Sequence, residues 1–358
     1  MAVRVRHGAK SVTLDKATFV QRFQAGMQAP PFKAHGEDIR RLAQVAWTAY
    51  REGKRSPNTR RAGAAFADPA YELSVDWLAA RDAIRRAEAQ HRARAAPTRI
   101  LLINASPRSD QTCPGEISKT LRLADVARNT LRRHRRVDVD FLDLSRLASE
   151  YGRVIYPCKA CVSTAMPLCH WPCSCYPNHS LGQVNDWMAE IYPLWVAAHG
   201  VMIVTPVHWY QAPSVLKLMI DRLVCADGGN PDPTTTGGKD AARAKALELR
   251  GWPYPRHLAG RVFSVIVHGD AAGADSLRQN LTDWLLDMGL TSAGRKACLS
   301  AYIGFGTPYA TSHRELDHDR ALQLEVRNAA LALLEAVRLR RDGKLGEPGR
   351  ALREPRPK

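Results

Sequence analysis

The chain has 358 residues, of which 45% are hydrophobic and 24% charged; that is enough apolar side chain for a full core and a second module, and it excludes disorder throughout. Its formal charge of +17 invites a nucleic-acid reading, yet Lys and Arg exceed Asp and Glu by nine in residues 1–97 and by five in residues 338–358, leaving +3 for everything between. Basicity confined to the ends reads as solvated helix surface, so nucleic acid is not expected as a partner.

No stretch comes near the roughly 18 uninterrupted apolar residues of a spanning helix; residues 193–207 are broken by His199, Gly200 and Pro206. The N-terminus has early positive charge but no apolar run behind it, so a secretory signal is not expected and the expected location is the cytoplasm.

Residues 1–97 read as a basic helical extension, with apolar periodicity at 36–50 and 74–84 and a boundary at Ala95-Ala96-Pro97. From residue 98 to 341 short apolar runs alternate with long amphipathic stretches, the signature of βαβ units in a doubly wound α/β domain with a parallel sheet. Strands are expected at 99–104, 137–144, 200–205, 261–268 and 297–303. Helices are expected at 115–135, 181–198, 214–225, 274–288 and 313–341, with Trp187 and Trp195 on a buried stripe and Asp221-Arg222 closing its helix in an ion pair with its surroundings. Residues 227–256, rich in Gly and Thr, read as a lid or a mobile loop. Residues 342–358, rich in Pro, Gly and Arg, read as a disordered tail.

Two stretches carry chemistry. After the first strand comes Ala105-Ser106-Pro107-Arg108-Ser109-Asp110-Gln111-Thr112, where backbone N–H groups, hydroxyls and a guanidinium converge as a phosphate needs. It has neither the Gly-Lys-Ser ending of a Walker loop nor the three glycines of a dinucleotide fingerprint. After the third strand, Thr205-Pro206-Val207-His208-Trp209-Tyr210-Gln211-Ala212-Pro213 sets His, Trp and Tyr on a proline-stiffened loop at the carboxyl end of a buried strand, a platform for a flat ring.

Together these stretches, with Leu216-Lys217 and Ile220-Asp221-Arg222 behind the second, resemble the flavodoxin-like family of NAD(P)H-dependent FMN reductases and their iron–sulfur flavoprotein relatives, over residues 99–338. The resemblance implies a five-stranded parallel sheet in the order 2-1-3-4-5. It implies FMN with its phosphate at Ser106, Arg108, Ser109, Gln111 and Thr112, and its ring against Pro206, Val207, His208, Trp209, Tyr210 and Gln211. A third flavin-facing loop is implied at His268, Gly269 and Asp270. Backbone N–H groups after the third strand are expected to bond the flavin N1–C2=O side. His208 is the only candidate catalytic side chain, since the flavin does the chemistry. The implied activity is NAD(P)H oxidation with transfer to a small-molecule electron acceptor such as a quinone, a nitro or azo compound or free flavin, by a homodimer or homotetramer. The alternatives are an iron–sulfur electron carrier fed by ferredoxin and a redox-sensing nucleic-acid-binding protein.

Five of the eight cysteines, Cys158, Cys161, Cys169, Cys173 and Cys175, fall within eighteen residues. In a reducing compartment this argues against a disulfide framework. Four thiolates suffice for an iron–sulfur cluster or for tetrahedral zinc, and the third reading is thiols without metal, including a reversible Cys158–Cys161 disulfide.

Overall fold

The computed structural model describes residues 3–8, 13–52, 58–176, 186–344 and 346–356. The chain parts into two units: one holds residues 1–80, 159–186 and 230–252, the other residues 81–158, 187–229 and 253–358. The expected boundary at residue 97 is therefore replaced by a division in which two later excursions join the N-terminal segment.

In the first unit, α1 (Lys16–Ala25) starts at Asp15, whose carboxylate accepts from Thr18 N, and packs on α2 (Gly36–Glu52). Phe19 lies against Trp47 and Tyr50. A short hairpin, β1 (Thr59–Arg61) and β2 (Glu72–Ser74), leads into α3 (Val75–Arg92), where Phe66, Leu73, Trp77 and Leu78 form a small core. Polar contacts of long sequence separation tie in the excursions: Asp232 accepts from Ala67 N at 2.8 Å, and Trp77 Nε1 donates to Pro172 O at 2.9 Å. Residues 230–252 are an ordered excursion rather than a mobile loop, and they carry the helix Ala241–Leu249, capped by Asp240. The ion pair of Asp227 with Arg256, at 2.9 Å, joins the two ends of the expected loop in the second unit.

The second unit is the doubly wound domain. Its strands are β3 (Thr98–Asn104), β4 (Val137–Asp143), β5 (Gly200–Pro206), β6 (Val262–Gly269), β7 (Thr291–Ser292) and β8 (Cys298–Tyr302). All pair in parallel, in the order β4-β3-β5-β6, with the last position shared by β7 and β8 on successive halves of β6. This is the flavodoxin-like order 2-1-3-4-5, its edge strand split in two. β3, β5 and β6 are almost wholly buried, which is why they read as continuous apolar runs.

The helices of this unit are α4 (Lys119–Arg132), α5 (Arg146–Ser149), α6 (Met188–Ala197), α7 (Ser214–Leu223), α9 (Ala274–Asp287), α10 (Ser312–His318) and α11 (Arg320–Arg341), the helix 241–249 of the first unit being α8. Ile100, Leu102, Met202 and Val204 share a core with α4 and α11. The alternate residues Leu101, Ile103, Val201 and Ile203 are as fully buried and by strand periodicity point to the opposite face. There Trp195 of α6 and Trp284 of α9 meet edge to face. Gly200 permits the packing of α11: a Cβ on it would lie 2.7 Å from Val337 and 3.1 Å from Leu333.

Several expectations are corrected. Residues 181–185 of the expected helix 181–198 lie outside the described residues, and the described helix begins at Met188. The expected helix 313–341 is two, separated at Asp319, whose carboxylate caps the second by accepting from Leu322 N. As expected, the end of α7 carries an ion pair, that of Asp221 with Lys217 one turn earlier; Arg222 is 1% exposed and donates to Tyr156 O at 2.9 Å. The tail is ordered over 346–356. Lys296 Nζ donates to Gly349 O and Leu352 O, Asn328 donates to Arg353 O, and Leu352 packs on the main core. Among the described residues no helix is long and apolar enough to cross a membrane.

Candidate active site

A cavity of about 300 Å³ opens at the carboxyl ends of β3, β5, β6 and β8, where the chain leaves β3 for neighbours on both sides, the place at which such sheets bind ligands. Its walls are Ser106 and Arg108 after β3, residues 116 and 118–120 leading into α4, Pro206, Val207 and His208 after β5, His268, Gly269 and Asp270 after β6, and Tyr309, Ser312 and His313 beyond β8.

The loop after β3 is knitted to itself. Arg108 N donates to Ser106 Oγ and Gln111 N to Ser109 Oγ, both at 3.1 Å. Ser109 N donates to Thr112 Oγ1 at 3.1 Å. Ser118, the N-cap of α4, accepts from Leu121 N and donates to Arg108 O at 3.0 Å. Arg108 is thereby held from both sides. Its guanidinium donates to Glu116 O at 3.1 Å, while its Nε is buried without a partner among the described residues. The first turn of α4 adds N–H groups that no helical carbonyl satisfies.

Opposite, His268 is almost fully buried, with Nε2 2.8 Å from Thr120 Oγ1 and Nδ1 without a partner among the described residues. Burial holds its pKa down to about 3, and Lys119 and His208 push the same way, so the ring is neutral at physiological pH. Lys119 donates to Ser312 Oγ at 3.0 Å and lies 3.7 Å from Asp270. His313 sits between Arg122 and Glu116, and burial lowers its pKa first.

The loop after β5 is tied to its neighbour by Val207 N, which donates to His268 O at 2.8 Å. His208 and Gln211 exchange two backbone hydrogen bonds, of 3.0 and 2.9 Å, around a tight turn whose central residues, Trp209 and Tyr210, have φ of +49° and +65°. Both side chains are exposed, Trp209 at 94%. The amides of Val207, His208 and Gln211 are thus engaged within the protein.

Of the residues singled out from sequence, Ser106, Arg108, Pro206, Val207, His208, His268, Gly269 and Asp270 line the cavity. Ser109, Gln111 and Thr112 shape the loop instead, and Trp209, Tyr210 and Gln211 form the exposed turn. Sequence reasoning missed Glu116, Ser118, Lys119, Thr120, Tyr309, Ser312 and His313. The signals were a capping serine ahead of an apolar run and a hydroxyl- and histidine-bearing segment after the last strand. Cys158 belongs to a segment of the second unit, and the other four clustered cysteines to the first. Among the described residues no group of three or more His, Cys, Asp or Glu side chains is arranged to hold a metal ion, so the iron–sulfur and zinc readings find no ligand set there.

Residues 98–302 match the family NADPH-dependent FMN reductase, and the chain belongs to it. It is an oxidoreductase of the NAD(P)H-dependent FMN reductase type. No curated protein matches the sequence. Among solved structures, the chain is similar to RosB with the bound intermediate 8-demethyl-8-formylriboflavin-5'-phosphate, at 14% identity and a TM-score of 0.46, over 69% of this chain and 82% of that one. It is also similar to an FMN-dependent NADH-azoreductase from Bacillus anthracis in complex with FMN, at 18% identity and a TM-score of 0.39, over 65% and 98% of the two chains. A third is an NADH:FMN oxidoreductase in its apo form, at 15% and 0.37, over 71% and 96%.

Proposed function

We propose that the cleft binds FMN and serves NAD(P)H and a small planar electron acceptor in turn. The observation that carries this reading is the convergence of Ser106, Arg108, the first turn of α4 and His268 on one cleft, where Arg108 Nε and His268 Nδ1 are buried with no partner among the described residues. Buried polar groups left without partners are costly, and a phosphorylated ring ligand toward which the two side chains turn would supply both. Ser106, Arg108 and the first turn of α4 would hold the phosphate, a set that suits a phosphomonoester in charge and in donors.

With Thr120 donating to Nε2, the neutral imidazole would carry its proton on Nδ1 and would offer it to the polar edge of the ring. Pro206, Val207 and His208 border it, and Trp209 and Tyr210 offer exposed aromatic surface for the second substrate. Bound FMN supplies a ring that takes a hydride from NAD(P)H and gives two electrons to the acceptor. Orientation and charge are the protein's part. Alternate use of one cleft predicts ping-pong kinetics, with quinones, nitro or azo compounds and free flavin as the acceptor classes. A homodimer or homotetramer is the proposed assembly, to be read by light scattering.

The test is reconstitution with FMN and with riboflavin, followed by anaerobic addition of NADPH. The expected result is FMN absorbance that bleaches, with riboflavin bound at least about ten-fold more weakly. Equal affinity for the two would reject the phosphate assignment.

A further inference from the structure

We propose that Cys161 and Cys175 form a redox-active dithiol, a second reactive centre that undergoes thiol–disulfide exchange with small disulfides. Their sulfurs lie 3.3 Å apart as thiols. Closing to the length of a disulfide bond takes about 1.3 Å, within the reach of side-chain rotation when the two groups already face each other. The backbone presents Cys161 in a fixed pose: Ala160, before it, has a φ of +49° and caps the short helical turn Cys161–Ser163. The pair is asymmetric. Cys161 is half-buried, whereas Cys175 is 5% exposed, so an incoming disulfide reaches the first sulfur and the second stays back.

A cation completes the arrangement. Lys239 Nζ lies 3.7 Å from Cys161 Sγ and is anchored by donating to Leu168 O at 2.7 Å. The hydrogen bond from Cys175, and then the Lys239 charge, bring the Cys161 thiol down to about 7 against the opposing effect of burial. A thiol poised near ambient pH is the most effective attacker in exchange reactions. Lys239 comes from residues 230–252, so this unit's excursion supplies the charge to a pair held by residues 159–186.

The chemistry balances with a disulfide RSSR as the oxidant. The Cys161 thiolate attacks one sulfur, a Cys161–SR bond forms, the R–S–S–R bond breaks and RS⁻ leaves. Cys175 then gives up its proton and attacks Cys161 Sγ, forming the Cys161–Cys175 bond and releasing the second RS⁻. The dithiol is oxidised by two electrons, RSSR is reduced, and the two thiol protons end on two RSH.

The test uses the full chain, reduced and then exposed at neutral pH to iodoacetamide or to glutathione disulfide, with peptide mapping. Cys161 is expected to alkylate fastest, at least about ten-fold faster than the exposed Cys113, because Cys175 and Lys239 stabilise its thiolate. Glutathione disulfide should yield a Cys161–Cys175 link, and Cys175→Ser should trap glutathione on Cys161. Lys239→Met should slow alkylation of Cys161 several-fold and leave Cys113 unchanged. Circular dichroism checks that the variants fold; if Cys175→Ser does not, acid-quenched wild type at early times shows the same mixed disulfide. A link joining other cysteines, or Cys161 reacting no faster than Cys113, would overturn the proposal. So would equimolar zinc or iron in the purified protein whose removal is needed before Cys161 reacts.

Discussion

Thr120 Oγ1 and His268 Nε2 meet at 2.8 Å, joining the first turn of α4 to the end of β6 with both groups buried. The contact fixes a neutral imidazole in the cleft, and a neutral buried histidine makes stability depend on pH. The unfolded chain binds a proton on this ring below about 6.5, whereas the folded protein refuses it until about 3. Between those values the unfolded state holds more protons, so stability is full above 6.5 and falls as the pH drops, by about 1.4 kcal/mol per pH unit from this residue. Urea unfolding at pH 7 and pH 5 should show a smaller loss for His268→Gln than for the wild type. Equal losses would mean that His268 is not held neutral.

Arg108 is placed by its backbone and incompletely used by the protein. Arg108→Ala should raise the dissociation constant for FMN about ten- to hundred-fold, the worth of a hydrogen bond to a charged group. Arg108→Lys should recover only part of it, because the ammonium lacks the planar fork. Fluorescence titration reads both, and an unchanged affinity would remove Arg108 from the phosphate site.

Trp209 combines a φ of +49° with 94% exposure, a combination that packing does not explain. A non-glycine residue in this region costs roughly 1–2 kcal/mol. Trp209→Gly should therefore stabilise the protein by about 1 kcal/mol while lowering kcat/KM for the acceptor and leaving FMN affinity unchanged. Stability and activity moving in opposite directions would mark strain retained for function; a loss of both would refute this.

Gly273 and Gly251 separate two costs of a side chain. Both have strongly positive φ, +110° and +106°. At Gly251 a Cβ meets nothing within 4 Å, whereas at Gly273 it would lie 3.0 Å from Tyr210 Cα and 3.3 Å from Val207 Cγ1. Both alanine variants should lose about 1–2 kcal/mol in thermal or urea unfolding. Only Gly273→Ala should also weaken FMN binding, since it alone displaces the loop after β5.

The buried strands were legible because a parallel sheet covered on both faces leaves no alternation, and the turns after β3 and β5 were legible because their residue types are unusual. The start of α4 was not. Pro114 and Gly115 suggested an early helix, whereas Ser118 caps it, and the cleft residues Lys119 and Thr120 follow from that shift. The tail's composition concealed the packing of Leu352 on the core and the backbone carbonyls that Lys296 gathers. The union of residues 1–80 with 159–186 and 230–252 rests on contacts such as that of Asp232 with Ala67, which join residues far apart in sequence and leave no local pattern.

The self-bonded loop after β3 bears on how a cofactor comes and goes. Its serines and threonine already satisfy its own amides, so the loop has its shape before any phosphate arrives. The conformational entropy of ordering it belongs to folding and not to binding. If the loop holds the phosphate as proposed, a receptor shaped in advance would release and regain flavin with association governed by diffusion and charge and hardly slowed by rearrangement.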